Sequence, residues 1–468
     1  MSNTNEIKFL THLKSYKKIY DPIKSNCYIE DPTTIKGSTF YRAIGDYDTN
    51  GYLSDMFLTL FDANPSDASL KRINQSLGFE AQKNINKSTI HSRVAKIDNK
   101  IYINLGSGKI VRVTSSGVTI LKNSKVKFEI NNQIGEIVRP DLEHGNYKMI
   151  KKYIPLHDHE LKLILVFIFN AYFTDTHYTM LALIGPTGSG KSCIQEFIKT
   201  IIDPSKIMLR NQFTKTEDLV LAALHCHVID INNVSKLSDL MQDTLCTILT
   251  GGVSTTRTKY TNKAQSSIYT HNPVIINGIG NVINRDDLYE RSIVFHLKKI
   301  QGTEIFLEES QLEKELEDDL PKIIGGIFNS LSLILKEFEC FETPPNLNRM
   351  ADFHILGCVT EKALGWKSGS FTKAYNANIA IAQNEVLEDS PLAQALLKMK
   401  KTNQSEFSGS FSELEQKLNQ FGKLGKISPR QLSSDLDRIS GFLLNLHNIS
   451  VTKLKRSNSG SRVKITFS

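Results

Sequence analysis

The sequence predicts an α/β chain in three parts: a parallel α/β core, a mixed α+β region ahead of it, and a module with the outline of a winged helix after it. Three observations carry this reading. Met180-Leu-Ala-Leu-Ile184 is an apolar run short enough for a buried parallel strand, and it leads into a glycine-rich loop and a helical pattern. Strand-like and helix-like segments then alternate to residue 297, as a parallel sheet with crossover helices requires. Finally, all of the net charge of +8 sits at the C-terminal end. Residues 391–468 hold nine lysines and four arginines against three glutamates and two aspartates, which leaves the first 390 residues neutral. A neutral body with a basic module suits nucleic acid better than an anionic membrane, a solvated lysine-rich tail being the alternative.

The length of 468 residues suggests several domains. The boundaries fall near 150 and 388, giving 1–150, 151–388 and 389–468. The six cysteines form no C-x-x-C pair, which points to reduced thiols and a cytosolic setting. Met1 to Glu6 lacks a signal-peptide pattern. The longest apolar run, Leu163 to Phe169, is too short to span a bilayer, so no membrane partner is expected.

Residues 1 to about 88 read as mixed and mostly helical. From 91 to 130 the period changes. Five short segments (92–97, 100–105, 109–113, 117–121 and 126–130), punctuated by Asp98-Asn99, Gly106-Ser-Gly108 and Ser115-Ser-Gly117, predict a small antiparallel sheet. Asp158 reads as the N-cap of an apolar helix through Tyr172. The neighbouring His157-Asp158-His159-Glu160 invites a metal reading, but four adjacent residues at a helix start point in different directions.

The loop after Ile184 reads Gly185, Pro186, Thr187, Gly188, Ser189, Gly190, Lys191, Ser192, Cys193, the Gly-x4-Gly-Lys-Ser pattern of a P-loop. Its glycines let backbone N–H groups approach phosphate oxygens, Lys191 brings charge to the β/γ-phosphates, and the Ser192 hydroxyl suits Mg²⁺. ATP and Mg²⁺ are the implied cofactors.

Further on, 207–210 is expected as a second strand. The run 225–233 is the next core strand, with Asp230 at its polar end in place for the Mg²⁺-side acid. An Asp-Glu pair is missing there, since Ile231, Asn232 and Asn233 follow. By period two, Asp230 and Asn232 share a face. A β-hairpin comes next, with Arg257 and Lys259 on its first strand and Lys263 at its tip. Its basic residues suit the phosphates of a single strand, or simply solvent. Asn277 ends another buried strand, where a polar side chain would orient the attacking water or the γ-phosphate. Arg285 and Arg291 flank a short turn. Either suits an arginine finger across a subunit interface, with Arg285 favoured, or a local pair with Asp286, Asp287 or Glu290. Residues 306–385 are almost wholly helical, a lid. After the Glu388–Pro391 boundary, helices near 391–400, 410–420 and 428–446 precede two basic strands. Arg430, Lys453, Lys455, Arg456 and Arg462 are the candidate duplex-binding residues.

Between residues 90 and 385 the chain resembles the AAA+ helicases of bacterial mobile elements. These are related to superfamily III initiator helicases and, in the ATPase core, to MCM helicases. It is most similar to the replication initiator (Rep) helicases of staphylococcal pathogenicity islands, akin to the Cch helicases of staphylococcal cassette elements. The resemblance runs through Arg93-Val-Ala, the P-loop, Asp203-Pro204, Asn233-Val-Ser, Thr250-Gly-Gly, Pro273-Val-Ile-Ile-Asn-Gly-Ile, Arg285-Asp-Asp-Leu and Arg349-Met-Ala-Asp-Phe. It implies a hexameric ring that hydrolyses ATP and translocates on single-stranded DNA in the cytoplasm of a bacterial host. It further implies Asn277 as sensor 1, Arg285 as the trans finger, Lys263 in the pre-sensor-1 hairpin, and a C-terminal module on origin duplex. Primase activity would come from a separate protein. The family shows Asp-Asn before the Val-Ser pair; here Asn232-Asn233 stands there, so the Mg²⁺-side role lies between Asp230 and Asn232. A DNA-binding AAA+ regulator or scaffold that uses ATP only as an assembly switch is the alternative.

Overall fold

The computed structural model describes residues 2–31, 39–83, 87–106, 108–257, 265–280, 282–299, 309–388, 390–402, 405–422, 424–425, 427–457 and 460–467. It is a mixed α/β structure. The N-terminal region holds α1 (Ser2–Leu13), β1 (Lys18–Asp21), β2 (Asn26–Glu30), β3 (Phe40–Ala43), α2 (Tyr47–Phe61), α3 (Asp67–Lys83) and β4 (Ile90–His91). It is mixed and mostly helical, as expected; its three four- and five-residue strands are too short for alternation to declare them one by one.

The meander follows as β5 (Val94–Ile97), β6 (Lys100–Asn104), β7 (Ile110–Thr114) and β8 (Gly117–Leu121), antiparallel in sequence order. The fifth expected strand, β9 (Lys127–Glu129), leaves this sheet. It pairs in parallel with β3 and β4, completing a five-stranded N-terminal sheet of order β1-β2-β3-β9-β4. Its inward side chain explains the choice: Phe128 packs with Phe40 and Val126 under the meander residues Ala95 and Ile110.

The apolar helix α4 (Asp158–Asn170) is capped by His157, one residue earlier than expected, and Glu160 accepts from the His157 backbone N–H at 3.0 Å. Then come β10 (Met180–Ile184), α5 (Lys191–Ile202), α6 (Thr216–His225), β11 (Ile229–Val234), α7 (Asp239–Thr250), the hairpin β12 (Gly252–Arg257) and β13 (Gln265–Thr270), β14 (Val274–Gly278), the short α8 (Asp286–Tyr289) and β15 (Ser292–His296). Four of these strands form a wholly parallel sheet of order β11-β14-β10-β15. Period two explains its burial on both faces. Leu181, Leu183, Ile275 and Phe295 pack toward α4 and α5, whereas Met180, Ala182, Ile231 and Ile276 pack with residues of α6 and α7.

Residues 207–210 do not form the expected strand. The chain runs beside β11 with a single parallel bridge, Asn211 to Asn232. The ladder stops there because the Arg210 N–H donates to the Asp230 carboxylate at 2.8 Å instead of to a backbone carbonyl.

The helices α9 (Glu309–Phe338), α10 (Ala351–Ala363) and α11 (Ser370–Glu388) close over α4 in one core with the inner face of the meander. Beyond them are α12 (Pro391–Lys400), β16 (Glu406–Ser410), α13 (Phe411–Leu418), α14 (Pro429–His447), β17 (Ile449–Ser457) and β18 (Gly460–Phe467). They have their own apolar core, and their sheet order is β16-β18-β17. The expected two-stranded hairpin therefore has a third strand, β16. Ser428 caps α14 by accepting from Gln431 N–H, with Pro429 at the first helical position. No helix among the described residues is long and apolar enough to cross a membrane.

Candidate active site

The loop 185–190 lies at the C-terminal end of β10, and its glycines serve distinct needs. A Cβ on Gly185 would meet the Leu297 carbonyl oxygen at 2.4 Å, and Gly190, at φ +77°, caps α5 in the left-handed region. Lys191 is folded over the loop and buried. Its Nζ donates to the carbonyl oxygens of Gly185 at 2.8 Å and Pro186 at 2.7 Å, and to Ser189 Oγ at 3.3 Å. Burial lowers its pKa from the usual lysine value. An anion entering the loop would exchange these neutral acceptors for charged ones. Pro186, Thr187, Gly188 and Cys193 line the exposed side of the loop.

Below the lysine sits a cluster of carboxamides. Parallel pairing sets Asn277 of β14 beside Leu183 of β10. Asn277 is fully buried, and its Nδ2 donates to Asn232 Oδ1 and to Gln195 Oε1, both at 2.6 Å. Its Oδ1 accepts from the Asn233 backbone N–H at 2.9 Å. Ser192 Oγ donates to Asn232 Oδ1 at 3.2 Å. Asn233 adopts φ +55°, a left-handed conformation that asparagine tolerates, and there the β11–β14 register breaks. Gln195 is fully buried and its Nε2 has no hydrogen-bond partner among the described residues. Sequence reading missed Gln195, although it lies three residues after Ser192, on the same helix face.

Asp230 does not join this cluster, against the expectation that it stands on the Mg²⁺ side with Ser192. Its carboxylate is fully buried and pairs with the equally buried Lys199 Nζ at 3.1 Å. Lys199 follows Ser192 by seven residues of α5, about 10 Å of helical rise. Lys199 also approaches Asp203 at 3.9 Å, and Asp203 in turn holds the buried Arg93 guanidinium at 2.8 Å. Burial opposes ionisation of Asp203, but Arg93 and Lys199 keep its carboxyl well below the usual carboxylate range. This chain of charges ties the meander to α5 and β11. The oxygens that face Ser192 are therefore neutral. Ser192 Oγ and Asn232 Oδ1 are hard ligands suited to Mg²⁺, which keeps several waters and takes its remaining ligands from phosphate.

Arg291 lies at the other end of the sheet, whereas Arg285 is held against α7, its backbone N–H donating to Gln242 Oε1 at 3.1 Å. The Arg291 carbonyl accepts from Met180 N–H at the start of β10, so the length of that strand separates it from the loop. Arg285 is part-exposed and pairs with Asp243 at 3.1 Å. Arg291 is tied to its own turn, through the Asp287 carbonyl at 2.8 Å and the Asp287 carboxylate. Arg349 closes on Asp287 and Glu290. The hairpin backbone pairs Arg257 with Gln265, whereas Lys259 and Lys263 lie outside the described residues. Arg430, Lys453 and Lys455 are exposed in the C-terminal module, with Lys453 on Asp437; Arg462 is half-buried.

Residues 161–382 match the family model of the actinomycete integrative conjugative element replication protein. No curated protein matches the chain. Among solved structures, an active helicase, Cch of SCCmec type IV, aligns at TM-score 0.47 and 11% identity, over 97% of this chain and 93% of that one. The apo C-terminal region of NrS-1 aligns at 0.42 and 12%, over 99% of both chains. The JCV helicase bound to a thiazolopyridine compound aligns at 0.22 and 12%, over 47% of this chain and 66% of that one.

Proposed function

We propose that this chain is a replication initiator helicase of a mobile genetic element. The observation that carries the reading is the convergence of Lys191, Ser192, Asn232 and Asn277 at one end of a parallel sheet, inside the segment matched by the replication-protein family. In this reading residues 151–388 are an AAA+ ATPase with a helical lid. Residues 1–150 are an N-terminal domain, and 389–468 a winged helix that binds origin duplex. The order α12-β16-α13-α14-β17-β18, with β18 central, supports the winged helix. Subunits assemble as a hexameric ring on single-stranded DNA, and a separate primase supplies primers.

Bound with Mg²⁺, ATP supplies the phosphate charge that Lys191 neutralises. Asn277 holds Asn232 and the Asn233 backbone in register beside Ser192. Arg285 is part-exposed and contacts α7 through Asp243, not the loop of its own chain, and in this reading it serves a neighbour's site. Lys191→Ala should abolish ATP hydrolysis and strand displacement on tailed duplex, yet leave binding of origin duplex intact. Undiminished unwinding by that variant refutes the mechanism. One observation favours a second reading, an ATP-switched regulator: no carboxylate joins the amide cluster among the described residues. That reading predicts ATP-dependent oligomers and no displaced strand from the unmodified protein.

A further inference from the structure

Away from the phosphate loop, three metal-ligating side chains meet where the N-terminal sheet touches the parallel core. Asp46 stands at the N-cap of α2, Glu129 ends β9, and His225 is the last residue of α6. One ligand atom from each lies within 4.8 Å of the others, and no other group of three His, Cys, Asp or Glu does so among the described residues. We propose that Asp46, Glu129 and His225 bind a divalent transition-metal cation, zinc being the probe of choice, which ties the N-terminal sheet to α6.

The donor set fits such an ion. Two carboxylates and one imidazole give a neutral complex with a doubly charged cation and leave a fourth position for water. Ligand atoms about 2.1 Å from a tetrahedral metal stand about 3.4 Å apart, so each side chain closes by less than about 1 Å.

The surroundings are arranged to hold these ligands. Glu129 is buried, with its carboxylate at the junction. Its Oε2 accepts from Lys24 Nζ at 3.1 Å and lies 3.4 Å from the Tyr28 hydroxyl. Its Oε1 lies 3.4 Å from Asn131 Nδ2. These contacts fix the orientation of the carboxylate, as hydrogen bonds behind a metal ligand do, with lone pairs left on Oε1. Asp46 makes no cap hydrogen bond to α2, although aspartate at that position ordinarily accepts one from the first turn. Its carboxylate is turned to the cluster instead. His225 makes no direct ion pair with either carboxylate among the described residues, so the trio is spaced for a bridging ion instead of for mutual contact. Two ligands come from the N-terminal region and the third from the core, which makes the bound ion a tie between them.

The test uses the untagged full-length chain, stripped with a chelator and dialysed. Calorimetric titration with ZnCl₂ should give one equivalent of tight binding and a raised Tm. His225→Ala and Asp46→Asn should each weaken binding at least tenfold, and His144→Ala should leave it unchanged. Co²⁺ on the unmodified chain should give the visible absorption of nitrogen and oxygen coordination without a thiolate charge-transfer band, a readout that needs no variant to fold. Absence of a stoichiometric site, a thiolate band, or equal affinity in His225→Ala and the unmodified chain overturns the proposal. None of these measurements depends on nucleotide hydrolysis.

Discussion

Asp230 and Asn232 share a strand face, yet the structure gives them opposite consequences on substitution. Asp230→Ala removes the anion 3.1 Å from a lysine that is itself fully buried. Among the described residues, Lys199 then keeps only the Val228 carbonyl at 3.0 Å and a distant Asp203 at 3.9 Å. Breaking a buried pair from one side costs about 3–5 kcal/mol. The Arg210 N–H loses its acceptor as well, which adds about 1 kcal/mol for a part-buried group. At about 2–4 °C per kcal/mol, Tm should fall by roughly 10 °C or more. Nucleotide affinity of the remaining folded protein should be little changed. Asn232→Ala removes instead a half-exposed acceptor of Ser192 and Asn277. It should cost about 1 kcal/mol of stability and raise the Mg²⁺ concentration needed for nucleotide binding and turnover. The assay pairs thermal unfolding with a Mg²⁺ titration of fluorescent-nucleotide binding. A Lys199→Met, Asp230→Leu double variant should recover much of the lost stability, because an apolar pair of similar volume can replace a buried ion pair. If Asp230→Ala leaves Tm unmoved but raises the Mg²⁺ requirement, Asp230 is the metal-side ligand and the assignment above is wrong.

Two further outcomes follow from the geometry. Arg285→Ala should bind nucleotide normally and hydrolyse none, and mixing it with the equally inactive Lys191→Ala should restore part of the activity, since one variant keeps the loop and the other the finger; an inactive mixture refutes action in trans. Burial, with Lys24 and His227 adding for His91 and with His177 and His227 adding for His271, lowers both imidazoles to about 4. Unfolded histidine titrates near 6.5, so between about pH 4 and 6.5 the unfolded chain holds the extra protons. Stability should therefore be complete above pH 6.5 and fall as pH drops, by at most about 2.7 kcal/mol per pH unit for the two together. His271→Gln should roughly halve that slope in denaturant titrations, and an unchanged slope would assign it to other groups.

What the sequence declared was local. The glycine-rich loop and the apolar runs that became β10, β11 and β14 each carry their signal within a dozen residues and stand where that signal implies, whereas the run at 207–210 does not. What it hid depends on residues far apart. Phe40 pairs with Phe128 across the entire meander, so the N-terminal strands had no visible partner. Gly325 and Gly326 sit mid-helix without apparent reason until packing is seen. Cβ atoms there would meet the Asp141 carbonyl at 1.9 Å and the Tyr147 nitrogen at 2.2 Å, so only glycine lets α9 lie against that connector. Asp230 misled for a related reason: in the sequence it closes an apolar run, as a metal-side acid would, but in the structure it is the second residue of β11, where Lys199, not Ser192, faces it.

The amide cluster has a consequence for how metal and nucleotide would enter. Asn232 and Ser192 offer oxygen without charge. A hard dication is bound weakly by neutral ligands alone and is held mainly by carboxylate or phosphate. Metal affinity at this site would therefore come from the nucleotide's own phosphates, and the two would bind as one unit. The self-bonded state of Lys191 fits this. Its three neutral acceptors within the loop keep the ammonium satisfied without an anion, and a polyphosphate has only to outcompete two carbonyls and a hydroxyl. A carboxylate at 232 would instead let the metal bind first and would add repulsion to the entering γ-phosphate. The same loop and helix with Asn232→Asp should thus trade coupling for metal affinity: tighter Mg²⁺ binding without nucleotide, with weaker dependence of nucleotide affinity on Mg²⁺.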